Sequence, residues 1–130
     1  MKCPVYRLPV TSLAGTADRI LHGEPSLSAI RDFLDVVGRA SPSEIASLIL
    51  ERPRPTGDPK ADALLAGLAE HLAATRSVPC PAWVLEPERF LDQFWFVSRV
   101  PGFRAIAIAQ TPVALKRRGI FWPARSLERI

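Results

Sequence analysis

A chain of 130 residues with 48% apolar and 23% charged side chains has the make-up of one globular domain and excludes a disordered or fibrous protein. Its net charge of +4 is small but unevenly placed, with seven cations and seven anions in residues 1–58, three and five in 59–98, and seven against one in 99–130. No stretch approaches the roughly 18 consecutive apolar residues of a membrane span, and Cys3 and Cys80 stand apart without a CxxC, which argues against a disulfide framework and predicts a reducing cytoplasm.

The opening "MKCPVYRLPV" is interrupted by Pro4, Arg7 and Pro9, so it offers no continuous apolar run for a signal peptide. "TSLAGTADRILHG" predicts the first helix. Thr11 or Ser12 is its N-cap, Leu13, Ala17, Ile20 and Leu21 share one face, and Gly23 is a left-handed stop. "SLSAIRDFLDVVG" repeats the pattern with Leu27, Ile30, Leu34 and Val37, widened by Phe33. "SPSEIASLILERP" opens with a capping box of Ser41 and Glu44, with Pro42 in the first turn and Ile45, Leu48 and Ile49 inward.

"RPRPTGDP" cannot continue a helix. It divides a single domain, 1–130, into an N-terminal helical part (1–51), a proline-rich connection (52–59) and a C-terminal helical and aromatic lobe (60–130). Asp58 then caps a longer helix with Pro59 in its first turn and Leu64, Leu65, Leu68 and Leu72 inward. "SVPCPAWVLEP" reads as extended, and a short helix from Pro87 carries Phe90, Leu91 and Phe94 on one face. "PGFRAIAIAQ" fits both helix and strand, and Pro101 tips it towards helix. In "TPVALKRRGIFWP", Thr111 caps a helix whose last turn holds Lys116, Arg117 and Arg118, where the carbonyl end of the dipole favours cations. Gly119 ends it, and the following residues are extended. The expected fold is mainly α, a compact multi-helix domain with a proline- and aromatic-rich C-terminal lobe and at most one or two short strands.

Catalytic patterns are missing. His22 falls in a last helical turn and His71 on the edge of an apolar stripe, and two histidines with two dispersed cysteines match no zinc spacing. "HGE" and "PC" imitate a zinc deaminase signature, but Trp83 stands where its last cysteine is required. Neither a phosphate-cradling glycine loop nor a G-x-S-x-G elbow occurs. Asp32 and Asp35, beside Arg31 and Arg39, read as a solvated helix face. No metal, no cofactor and no enzymatic activity are expected. "IRDFLDVVGRASPSEIASLIL" has the outline of a helix-turn-helix, yet residues 28–75 hold five cations against seven anions, which does not suit phosphate contact.

The C-terminal lobe is the unusual part. Eight of the ten aromatic residues fall between Trp83 and Trp122, and the run "QFWFV" cannot point wholly into one core. Exposed aromatics beside arginines favour interfaces. Arginine outnumbers lysine fourteen to three, as in GC-rich bacterial coding.

The segments "GDPKADALLAGLAEHLA", "PCPAWVLEPERFLDQFWFV" and "PGFRAIAIAQTPVALKRRGIFWPARSLERI" resemble a small bacterial family on the antitoxin side of toxin–antitoxin loci whose toxin has a nucleotidyltransferase fold. In some relatives the segment follows a helix-turn-helix domain, as in regulators. The likeness covers residues 57–130 best. It implies a non-catalytic protein-binding role that sequesters or inhibits a partner protein, with Trp95, Phe96 and Trp122 as anchors and Arg104, Lys116, Arg117, Arg118 and Arg125 as polar contacts. The alternative is a DNA- or RNA-binding regulator using the basic tail, and a homodimer stays open.

Overall fold

Residues 12–127 are described in the computed structural model, and its helices begin where the capping residues place them. The Ser12 hydroxyl accepts from the Gly15 amide at 3.0 Å and starts α1 (Leu13–Leu21). Thr11, the other cap candidate, lies outside the described residues. Gly23, at φ +102°, makes the left-handed turn that ends this segment. Leu13 and Ala17 are buried, but Leu21 is 43% exposed. At 3.6 residues per turn it lies roughly 80° around the helix from Leu13, off the packed face.

In α2 (Ser26–Val37), Ile30, Phe33, Leu34 and Val37 are buried as expected, with Leu27 half-buried. The capping box of α3 (Pro42–Leu50) is complete: Glu44 accepts from the Ser41 amide at 2.8 Å, and Ser41 accepts from the Glu44 amide. Asp58 accepts from the Lys60 amide and starts α4 (Pro59–Arg76). From Ala63 to Ala69 every residue of α4 is buried. A helix apolar on all sides belongs at the centre of a core. Helices α1 and α3 cover α4 on one part of its surface and the C-terminal lobe covers the rest.

The connection over residues 52–59 is fastened rather than loose. Thr56 donates through both its amide and its hydroxyl to the Asp62 carboxylate, at 2.9 and 2.8 Å. Arg89, only 2% exposed, donates to the carbonyls of Pro53 and Asp62 and lies over the Trp83 ring. Trp83 in turn donates its indole N–H to the Ile49 carbonyl at 3.1 Å, joining α3 to the lobe.

The lobe corrects several expectations. "SVPCPAWVLEP" is not extended throughout, because Ser77 adopts a left-handed conformation and Ala82–Leu85 form a 3-10 turn. The helix from Pro87 is a single 3-10 turn, Pro87–Arg89, too short to carry a stripe, and Phe94 is 76% exposed. Strand β1 (Trp95–Phe96) follows. The ambiguous segment is helical, with a 3-10 turn at Pro101–Phe103 leading into α5 (Arg104–Gln110). Thr111 does not cap the next helix; its hydroxyl donates back to the Ala107 carbonyl of α5, and Pro112 leads into α6 (Val113–Lys116). Gly119, at φ +83°, turns the chain into β2 (Ile120–Phe121), and α7 (Ala124–Leu127) follows. The strands pair in parallel, Trp95 opposite Ile120 and Phe96 opposite Phe121. Among the described residues the protein is mainly α-helical with one two-stranded pairing.

Gly67 marks the closest approach of α4 to α6. A Cβ there would run into Leu115 Cδ2 and lie 3.5 Å from Arg118 Cδ. Leu115 is fully buried and has nowhere to swing. In an exposed helix Gly→Ala stabilises by about 1 kcal/mol; Gly67→Ala is expected to reverse that sign and destabilise by about 1–3 kcal/mol, as overpacked cores do. Urea denaturation of the variant measures it, and an increase in stability would show that α6 can move away.

Candidate functional site

The cationic run that closes α6 divides into three residues with three fates. Lys116 is half-buried on the surface. Arg117 is exposed and donates to Glu70 Oε1 at 2.7 Å. Arg118 is completely buried. Its guanidinium donates to the same Glu70 oxygen at 2.6 Å, to the Ala114 carbonyl at 2.8 Å and to the Val84 carbonyl at 2.6 Å, against the face of the Phe90 ring. Arg118 therefore has no surface for a partner, contrary to the expected contact role. Trp122, 4% exposed, is likewise a wall of the lobe rather than a free anchor.

Burial alone would push the Glu70 carboxyl up, but the bonds from Arg118 and Arg117 outweigh it and hold Glu70 below the ordinary carboxylate range. Burial also lowers the hold of Arg118 on its proton. A guanidinium starts so high that it stays charged, and the pair remains ionic.

Other aromatic and basic side chains do reach the surface. Phe94 meets Phe121 edge-on, with centroids 5.3 Å apart, and Phe121 stacks on Phe96 at 4.7 Å. The Arg104 guanidinium lies over Phe96 at 5.2 Å and extends the column. Trp95 points to the other side of the strand, half-buried, with the Lys60 ammonium 5.5 Å from its ring. Phe94, rather than Trp95 or Phe96, is the ring left open.

Next to this column, α5 buries Ala107 alone, while Ile106 and Ile108 are exposed, as are Val100 and Phe103 just before the helix. Sequence reasoning did not single out these four as a surface. The signal was present in "RAIAIAQ", which has no polar residue between its ends and so no side suited to water. Arg99, Arg104 and Arg125 are exposed and make no ion pair among the described residues.

A cleft of about 430 Å³ opens where α2, α5 and α7 approach the ends of the strands. Arg31, Arg104 and Arg125 line it together with Phe103 and Trp122, and among the described residues no carboxylate lines it. Arg31 was not among the expected site residues, because nothing in its local pattern connects it to residues 96–126.

The remaining reactive groups have structural surroundings. His22 Nδ1 lies 2.7 Å from the Asp18 carbonyl, within its own helix end. Burial and the nearby Arg76 disfavour a charged His71. Burial pushes the Cys80 thiol up, away from the thiolate form a nucleophile needs. Asp32 pairs with Arg19 at 2.7 Å. Among the described residues no cluster of His, Cys, Asp or Glu is set to hold a metal, and no helix is long and apolar enough to cross a membrane. No family model matches the chain, and no curated protein or solved structure shows significant similarity to it.

Replacing Arg118 by Ala removes the donor to the Val84 and Ala114 carbonyls and leaves Glu70 with Arg117 alone, and a loss of about 3–5 kcal/mol is expected. Arg117→Ala removes a solvent-exposed partner of the same carboxylate and is expected to cost at most about 1 kcal/mol. Chemical denaturation of both variants tests this order. Because Glu70 is held low in the folded state, its contribution is present above its unfolded pKa and is lost as pH falls through the folded value. Stability measured from neutral to acidic pH should decline less steeply in Glu70→Gln than in the parent.

Proposed function

We propose that the protein is a non-catalytic binding module of the bacterial cytoplasm that sequesters a partner protein through its C-terminal lobe, in the manner of an antitoxin. One observation carries the reading: Val100, Phe103, Ile106 and Ile108 are all exposed on and beside α5, with the two isoleucines on either flank of the buried Ala107 and Arg99 and Arg104 next to them in the chain. A short helix with isoleucines towards water gains free energy when a partner covers them. Phe94 supplies an open aromatic anchor, and Phe96 supports it through Phe121. Arg104 and Arg125 line the cleft beside α5, while Lys116 and Arg117 lie on α6 and just beyond it, Arg117 bound to Glu70.

The complementary partner has an apolar patch within an acidic border. A nucleotidyltransferase-fold toxin with an acidic metal-binding site, the partner implied by the resemblance, meets that description. Opposite charge would speed the encounter more than it tightens the complex. DNA or RNA binding through the basic tail is the competing reading, and it predicts affinity that falls steeply with salt.

The deciding experiment compares tagged parent protein with an Ile106→Glu/Ile108→Glu variant in the source cells, quantifying bound protein and bound nucleic acid. The expected result is one stoichiometric protein partner on the parent and at least about a ten-fold loss on the variant. Ile108 is half-exposed and Ile106 more than half covered, so the melting temperature is measured alongside and is expected to fall by only a few degrees. Nucleic acid alone on the parent, released by salt, would replace this reading with the regulator. Equal retention of the partner by the variant would move the contact surface away from α5.

A further inference from the structure

We propose that the arginine-lined cleft is a binding site for a nucleoside phosphate. The proposal does not depend on the partner-binding reading, since it concerns a small ligand and the isolated protein.

Three guanidiniums, Arg31 from α2, Arg104 from α5 and Arg125 from α7, line one cavity of about 430 Å³. That size lies within the range of about 300–1,000 Å³ typical of small-molecule sites. Among the described residues none of the three makes an ion pair, and no Asp or Glu lines the cavity. Arginine stays charged at any physiological pH, so the cleft collects positive charge with no counter-ion among the described lining residues. Like charges brought together in this way repel until an anion lies between them. Three guanidiniums exceed the needs of one carboxylate and suit a group with several oxygens and more than one negative charge, which is a phosphate.

The rest of the cavity explains why a phosphate alone would leave it half used. Phe103, 49% exposed, lines the cleft, and Trp122 and Ile106 continue an apolar wall. A flat aromatic base fits such a wall, since ring stacking on aromatic side chains contributes about 1–3 kcal/mol. Arg104 already rests against the Phe96 face at 5.2 Å, which limits the freedom its guanidinium would lose on binding. The Ser98 and Ser126 side chains complete the lining with hydroxyls able to meet a sugar. A ligand joining a planar base, a hydroxylated sugar and a phosphate uses every part of the cleft.

Titration of the purified protein with ADP, adenosine and inorganic phosphate tests the site, read by calorimetry and by quenching of tryptophan fluorescence from Trp122. ADP is expected to saturate one site, with adenosine and phosphate each at least about ten-fold weaker. Arg31→Ala and Arg125→Ala should each weaken ADP by about ten-fold or more and leave adenosine unaffected, with the Lys variants in between because they keep the charge but lose the fork. Arg39→Ala, an exposed arginine outside this cleft, serves as the control and should bind as the parent does. Melting curves establish that the variants are folded. Absence of saturable ADP binding, ADP binding indifferent to Arg31 and Arg125, or phosphate bound as tightly as ADP would each overturn the proposal.

Discussion

The molecule depends on one charge removed from water. Arg118 lies wholly inside, and its guanidinium reaches three separate pieces of chain: Glu70 on α4, Ala114 in the preceding helix α6 and Val84 in the 3-10 turn. Isolating a guanidinium from solvent is unfavourable by several kcal/mol, so the site is tolerable only when its partners are all in place. That condition makes the contact selective. Gly67 lets α6 come close enough for it, and the backbone following Arg118 then accepts from Leu91, Trp95 and Val97. The parallel strand pair, the aromatic column and the arginine cleft are all set by that register.

The N-terminal half could be read from its sequence because its determinants are local. Ser12, Ser41, Asp58 and Gly23 act within a few residues of themselves, and the apolar spacing of α2 and α3 needs only helical geometry. The C-terminal lobe was legible only in part, since its contacts are long-range. The dipole account of "KRRG" was correct for the Arg118–Ala114 bond and silent about Glu70, forty-eight residues away. Thr111 had the residue type of a cap but bonded backwards. The aromatics were rightly singled out as a group, while the division into buried Trp122, half-buried Trp95 and Phe96, and open Phe94 follows from a strand pairing two residues long. Arg31 entered the cleft with no signal of its own.

The same contacts revise the meaning of the basic tail. Seven cations against one anion in residues 99–130 suggested a strong positive face. Arg117 and Arg118 share Glu70, so part of that excess is balanced by a carboxylate from α4. Among the described residues of this stretch, Arg99, Arg104, Lys116 and Arg125 make no ion pair, and Arg104 and Arg125 line the cleft beside α5.

The unequal burial of α4 and α5 has a kinetic consequence. Amide hydrogens along α4 exchange with solvent only when the whole core opens, since nearly every turn of that helix is enclosed. Helix α5 is held by one buried alanine and the Thr111 bond, so its opening requires a small fraction of the global unfolding free energy. Helix α5 can therefore sample local rearrangements many times for each unfolding of the body, while the Arg118 contacts to α4, α6 and the 3-10 turn stay closed.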